Sequence, residues 1–164
     1  MQRYDFGHIF LEVTMSCNGN KTKHINEIHR INYLGAELES LYHQSSVKLG
    51  ITDSVSMVLY AIYDEGGECL LSDIYKNSGI SKQTINSAIR NLEAQDILYL
   101  KQHSGRSKMA ILTEKGKAFA ENTVAKICRA ESDAFDSWTE EEITTYLQLM
   151  EKYIDCFRQQ IEKI

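Results

Sequence analysis

From Ser81 to Arg90 the chain reads Ser-Lys-Gln-Thr-Ile-Asn-Ser-Ala-Ile-Arg. Wound as a helix, this stretch puts Ile85, Ala88, Ile89 and the following Leu92 in one apolar stripe. The opposite face collects Lys82, Gln83, Thr84, Asn86, Ser87 and Arg90. Those side chains are suited to a nucleic-acid duplex. Asn and Gln can pair bidentately with adenine, and Arg can pair with guanine or neutralise a phosphate. Ser81 and Thr84 can donate to phosphate oxygens, as can the N–H groups at a helix N-terminus. The first turn holds no acidic residue to repel them. Any amphipathic helix has a polar outer face, so this helix alone leaves DNA and a plain solvated surface evenly balanced. A second feature tips the balance. The segment His103-Ser104-Gly105-Arg106-Ser107-Lys108 offers Arg106 on a glycine-loosened tip, flanked by Lys101 and Lys108. An Arg projected in that way can enter a minor groove, where the potential is most negative.

A helix-turn-helix and a hairpin must position these groups. Ser72 is expected to open a short helix carrying Ile74 and Tyr75, and Asn77-Ser78-Gly79 to close it. Ser81 then caps the next helix. After Asp96 the period changes: Ile97 to His103 and Lys108 to Leu112 read as strands around a Ser104-Gly105 turn. Upstream, Ile25, Ile28, Leu34, Leu38, Leu41 and Tyr42 recur at three- and four-residue steps, which predicts a helix from about Lys23 to Lys48 stopped by Gly50. Thr52 or Asp53 caps a further helix bearing Val55, Val58, Leu59 and Ile62, which ends at Gly66-Gly67. Glu68 to Leu70 reads as a small strand. Thr113 to about Ser137 reads as one helix. In the last helix Thr139 and Glu142 make a capping box, with Trp138 and Ile143 placed as a hydrophobic staple. Ile143, Leu147, Met150, Ile154, Phe157, Ile161 and Ile164 then alternate four and three apart, a heptad seam that predicts a subunit-joining helix rather than one packed only on its own domain.

These residues resemble the MarR family of bacterial winged helix-turn-helix transcriptional regulators. The resemblance lies in Ser81-Lys82-Gln83-Thr84-Ile85-Asn86 through Leu92-Glu93, in Ile97-Leu98, and in Gly105-Arg106 to Leu112-Thr113-Glu114-Lys115-Gly116. Its most specific part is the phrase R-S-x-x-x-x-L-T-E-K-G, and Lys48-Leu49-Gly50-Ile51-Thr52 matches the usual end of the family's first helix. The resemblance runs from about Ile25 to the C-terminus. It implies a homodimer joined by its first and last helices, with helix Ser81–Gln95 in the major groove of double-stranded DNA and Arg106 in the minor groove. There are two departures. Ser104 stands where the family often has Asp, which would loosen the wing. Asp96 stands where glycine is common, which would turn the hairpin entry differently. Many members release DNA when a small aromatic or phenolic effector binds between the dimerisation helices and the DNA-binding lobe. Tyr33, Tyr42, Tyr60 and Tyr63 lie on helices that could line such a cleft. A redox-sensing branch uses a Cys in the first helix. Here that position is Ile28, Asp53 replaces an expected tyrosine, and Cys17 lies earlier, so a peroxide sensor of that type is not expected.

The fold class expected is therefore mainly α with a small β-hairpin wing, a winged helix-turn-helix with long N- and C-terminal dimerisation helices. Residues 1–22 would form an irregular arm, 23–50 a dimerisation helix, 51–113 the DNA-binding lobe and 114–164 the C-terminal dimerisation helices. Composition fits this layout. The 164 residues contain no proline, so long helices can run unbroken. No apolar run approaches a membrane span, and the first residues lack a signal-peptide layout. The cysteines Cys17, Cys69, Cys128 and Cys156 form no CxxC pair and read as reduced thiols in a cytoplasm. His24 and His29 are poorly spaced for a shared metal, and no cofactor is expected. No arrangement of nucleophile, base or phosphate loop suggests an enzyme. The other class worth weighing is a winged-helix protein–protein module without DNA binding, against which Arg106, Lys82 and Arg90 argue. The net charge of −5 does not exclude DNA. Residues 76–117 hold eight Lys/Arg against three Asp/Glu, a balance of +5, and the remainder carries −10.

Overall fold

The computed structural model describes residues 23–164; the expected arm 1–22, with Cys17, lies outside the described residues. Among the described residues are seven helices and three strands. In order these are α1 (Ile25–Lys48), α2 (Asp53–Asp64), β1 (Glu68–Leu70), α3 (Leu71–Asn77), α4 (Lys82–Ala94), β2 (Leu98–Gln102), β3 (Lys108–Leu112), α5 (Glu114–Asn122), α6 (Val124–Phe135) and α7 (Glu140–Ile161). This is the mainly α, winged helix-turn-helix architecture expected. The chain divides into two units, Met1–Gln44 and Ser45–Ile164.

The first unit holds most of α1, whose only buried residue, Ser46, falls beyond it. Ile31, Tyr33, Leu34, Leu38, Leu41 and Tyr42 of this helix are exposed. The helix ends as Gly50 predicts. Gly50 takes a φ of +70°, its N–H donates to the Val47 carbonyl at 3.1 Å, and the Ile51 N–H donates to the Ser46 carbonyl at 3.1 Å. That bond pair is a Schellman stop, and glycine meets its left-handed turn without a Cβ penalty.

The second unit is built around α2. Thr52 caps it, accepting from the Val55 N–H at 3.3 Å. The periodic residues Val58, Leu59 and Ile62 are fully buried and meet Ile74 of α3, Ile85, Ile89 and Leu92 of α4, and Ala110 and Leu112 of β3. Burying an aliphatic side chain of this kind contributes about 1.5–3 kcal/mol. The core continues past residue 113 through Ala120 and Val124. The sheet runs β1-β3-β2, antiparallel throughout. The hairpin pairs Leu98 with Leu112 and Gln102 with Lys108, and the small strand pairs Glu68 with Ile111.

Two local expectations change. The short helix opens at Leu71 directly out of β1, not at Ser72. The single helix expected from Thr113 to Ser137 is two, broken at Thr123, where φ and ψ are −122° and −94°. The buried Thr123 hydroxyl donates to the Phe119 carbonyl at 2.7 Å. A β-branched hydroxyl bonding back on the preceding turn competes with the helical ladder and bends it. Periodicity alone does not reveal the break, because the apolar stripe continues on both sides.

Candidate nucleic-acid interface

The first turn of α4 is held by Ser81, whose Oγ accepts from the Thr84 N–H at 3.1 Å and shares a 2.8 Å hydrogen bond with the Thr84 hydroxyl. Ile85, Ala88, Ile89 and Leu92 face the core, as the periodicity requires. That leaves Ser81, Lys82, Gln83, Thr84, Ser87 and Arg90 exposed, and Asn86 half-buried. Several of these polar groups also serve their own helix. The Ser87 hydroxyl donates to the Gln83 carbonyl at 3.0 Å, and Arg90 Nε to the Asn86 carbonyl at 3.4 Å. The cationic ends of Lys82 and Arg90 form no ion pair among the described residues.

One contributor escapes sequence reasoning. Tyr75, in the last turn of α3, donates its hydroxyl to Asn86 Oδ1 at 2.6 Å, and Lys82 Nζ lies 5.7 Å from its ring centroid. Its neighbour Ile74 carries the inward position that periodicity finds. The usable signal would be topological: an aromatic residue ending the first helix of a helix-turn-helix lies against the first turns of the second.

The wing tip is braced from within. Gly105 takes φ +53°, the Ser107 N–H donates to the Ser104 carbonyl at 2.8 Å, and the His103 N–H donates to the Ser107 carbonyl at 3.0 Å. The Gln102 side-chain amide donates to the carbonyls of Gly105 and Ser107. Thus the tip that lacks an Asp at Ser104 is spanned by Gln102, a residue the sequence reading did not single out. Arg106 and Lys108 are exposed on this tip. The hairpin entry also differs from expectation. Asp96 itself adopts the left-handed turn, with φ +57°, and its N–H and that of Ile97 donate to the carbonyls of Glu93 and Leu92. The entry therefore turns as a glycine would turn it.

The Leu112–Gly116 phrase explains itself as the fastening between the wing and α4. The Thr113 N–H donates to the Ile97 carbonyl at 3.0 Å, and its hydroxyl donates to the Asp96 carbonyl at 2.7 Å and accepts from the Gly116 N–H at 2.9 Å. Lys115 Nζ donates to the Gln95 carbonyl at 2.7 Å, placing a cation at the C-terminus of α4, where the helix dipole favours it. A Cβ on Gly116 would lie 1.8 Å from the Ile97 carbonyl oxygen, so only glycine fits.

Of the eight cations in residues 76–117, Lys115 is spent on that fastening and Lys117 pairs with Glu114 at 2.7 Å. Lys76, Lys82, Arg90, Lys101, Arg106 and Lys108 are exposed and form no ion pair among the described residues.

The four tyrosines separate. Tyr60 and Tyr63 lie on α2, and their hydroxyls donate to Glu131 of α6 at 2.8 Å and Glu121 of α5 at 3.0 Å. Burial first, then the carboxylate acceptor, pushes the Tyr60 phenol well above its ordinary value; for Tyr63 the carboxylate is the larger cause. Tyr33 and Tyr42 belong to the exposed part of α1, with the Arg30 guanidinium 5.5 Å from the Tyr33 ring centroid. Cys69, Cys128 and Cys156 are free thiols; burial pushes Cys69 and Cys128 up, away from reactivity. Among the described residues there is no His/Cys/Asp/Glu group of three or more that could hold a metal, and no helix is long and apolar enough to cross a membrane.

A capped helix with an uncharged polar and basic face, preceded by a short helix and followed by a basic hairpin, defines a winged helix-turn-helix. Residues 49–107 match the sequence model of the MarR family. The fold is similar to that of a MarR family regulator from Neisseria meningitidis, NMB1585, at 16% identity with a TM-score of 0.76, covering 85% of this chain and 99% of that one. It is also similar to BpsR of Bordetella bronchiseptica, solved to explain regulation of its DNA binding by 6-hydroxynicotinic acid, at 23% identity and TM-score 0.58, covering 84% and 99%. A third, NadR in complex with 4-hydroxyphenylacetate, matches at 13% identity and TM-score 0.66, covering 82% and 96%. No curated protein sequence matches the chain.

Proposed function

We propose that the chain acts as a homodimeric, sequence-specific regulator on a pseudo-palindromic operator in cytoplasmic double-stranded DNA, with half-sites about one helical turn apart. In this reading α4 lies in the major groove, using Ser81, Lys82, Gln83, Thr84, Asn86, Ser87 and Arg90, while Arg106 and Lys108 follow the wing to the minor groove and its phosphates. The observation that carries it is the set of six exposed, unpaired cations on the helix-turn-helix and wing of a net acidic chain. The acidic remainder favours one docking orientation by repelling the duplex elsewhere.

The dimer reading rests on α7. Its capping box is formed, Thr139 and Glu142 each accepting or donating across the first turn, yet none of its residues is buried. Leu147, Met150, Ile154, Phe157 and Ile161 are 42–53% exposed, and Tyr146, Leu149 and Tyr153 widen the apolar face beyond a two-position seam. A face that broad suits packing against more than one helix of a second copy, residues 23–50 and 114–164 supplying both sides.

We assign the chain a repressor role, released by a small aromatic effector, as regulators of this fold are known with aromatic acids bound. The tyrosines we propose as candidates for contact with it are Tyr60 and Tyr63, whose hydroxyls are held by carboxylates, and, on the exposed part of α1, Tyr33 and Tyr42.

The test is a binding titration on the DNA upstream of the protein's own gene at several salt concentrations. Affinity should fall steeply as salt rises, and Arg106→Ala should weaken binding about tenfold while reducing the logarithmic salt slope by about one. Binding that is absent, or indifferent to both salt and Arg106→Ala, returns the chain to the class of protein–protein modules.

A further inference from the structure

The contact between Tyr75 and Asn86 bears on which base the reading helix selects, an inference that rests on the DNA-binding function proposed above. Asn86 carries one acceptor edge, Oδ1, and one donor edge, the NH2 group. Bidentate reading of adenine needs both edges presented to the same base. In this structure Oδ1 is turned toward the protein, where it accepts the Tyr75 hydroxyl at 2.6 Å. Both residues are half-buried, so the bond is partly shielded from competing water. The phenol ring is held in place in turn, with Lys82 Nζ 5.7 Å from its centroid. Tyr75 and Lys82 therefore fix the amide plane before any ligand arrives.

We propose that Tyr75 is a specificity-determining positioning residue that locks Asn86 with its NH2 group outward, so that Asn86 reads an acceptor edge in the major groove, thymine O4 or guanine O6/N7, rather than adenine. Tyr75 itself touches no base. Its effect is confined to one base position per half-site, because it acts through a single side chain.

Full-length protein is used to select bound sequences from a library of randomised duplexes, in parallel for the wild type, Tyr75→Phe and Asn86→Asp. The wild type should show one position per half-site occupied by T or G that changes with these variants. Tyr75→Phe keeps the ring and its contact with Lys82 but releases Oδ1. It should lower discrimination at that position by at least about fivefold, with adenine gaining most, and leave the salt slope unchanged. Asn86→Asp still accepts the Tyr75 hydroxyl but presents oxygen outward, so the preference should invert toward cytosine, whose N4 donates. A selected motif identical in the wild type and Tyr75→Phe overturns the inference and leaves DNA binding intact. So does a Tyr75→Phe protein that weakens on all sequences equally with a lowered melting temperature, which would mark a purely structural contact. Should Tyr75→Phe fail to fold, retention of the wild-type preference by Asn86→Asp overturns it independently. A wild type that selects no sequence at any salt overturns the DNA-binding function itself.

Discussion

Helices α4 and α7 have equally clear apolar stripes and opposite fates. In α4, four of 13 residues are buried, all of them on the stripe that periodicity marks. In α7, none of 22 residues is buried, although its stripe is longer and includes Phe157 and four aliphatic residues. The difference lies in what the same chain can offer each face. The α4 stripe meets α2, whose Val58, Leu59 and Ile62 point at it from a few turns away in sequence. The α7 stripe exceeds what the winged-helix lobe covers. One stripe completes a fold, and the other is left exposed for the association proposed above.

The largest test of that comparison is one substitution made twice. Ile89→Ala in α4 removes a side chain that is 2% exposed and should destabilise the lobe by about 4 kcal/mol, through lost transfer energy and the cavity left behind. That loss should be independent of protein concentration in denaturant titrations. Ile154→Ala in α7 removes a side chain that is 46% exposed in the single chain. It should leave the lobe's intrinsic stability unchanged and raise the dimer dissociation constant about 10- to 100-fold, read by sedimentation and by a melting temperature that varies with concentration. Equal, concentration-independent effects of the two substitutions would erase the distinction.

A somewhat smaller effect probes how the lobe fastens α4 to the wing. Gly116→Ala drives a methyl into the Ile97 carbonyl, a backbone atom already held by the Thr113 N–H, so the neighbour cannot move aside cheaply. The expected loss is about 3 kcal/mol, measured by chemical denaturation. The proposed DNA affinity should fall more than the stability loss explains at temperatures where the protein remains folded, because the wing and α4 are displaced together. The dimerisation proposed for α7 should be unaffected, which separates the two regions again.

These contrasts also show what the sequence can and cannot reveal. Local signals were legible: the Gly50 stop, the Ser81 cap, the Thr139–Glu142 box and the hairpin each depend on residues within a few positions of one another. The inward stripe of α4 was legible because burial on one face leaves a 3.6-residue period. The Thr123 break was not, since a side chain bonding to its own helix leaves that period intact. Tyr75 and Gln102 were hidden for a different reason. Each acts through a hydrogen bond to a partner set by the turn between two elements, and residue type alone does not announce the partner. The opposite use of the α4 and α7 stripes was only half visible, as the heptad spacing pointed outward but the extra width from Tyr146, Leu149 and Tyr153 did not.

The smallest expected effect sits at the junction that Asp96 makes between α4 and the wing. Its φ of +57° is a conformation that costs an L-residue free energy, less for Asp than for bulkier side chains. Its carboxylate has no hydrogen-bond or ion-pair partner among the described residues to offset that cost. Its backbone, by contrast, is fully used: the N–H donates to Glu93 and the carbonyl accepts the Thr113 hydroxyl. Asp96→Gly retains both backbone bonds and removes the strain, while adding chain entropy to the unfolded state. The net should be a stabilisation of about 0.5 kcal/mol, visible as a small rise in denaturation midpoint with unchanged slope. The substitution also removes one of the three acidic groups within residues 76–117, so DNA affinity at low salt should rise slightly and the gain should fade as salt increases. A destabilised Asp96→Gly protein would mean that the carboxylate, and not the backbone turn, holds the wing to α4.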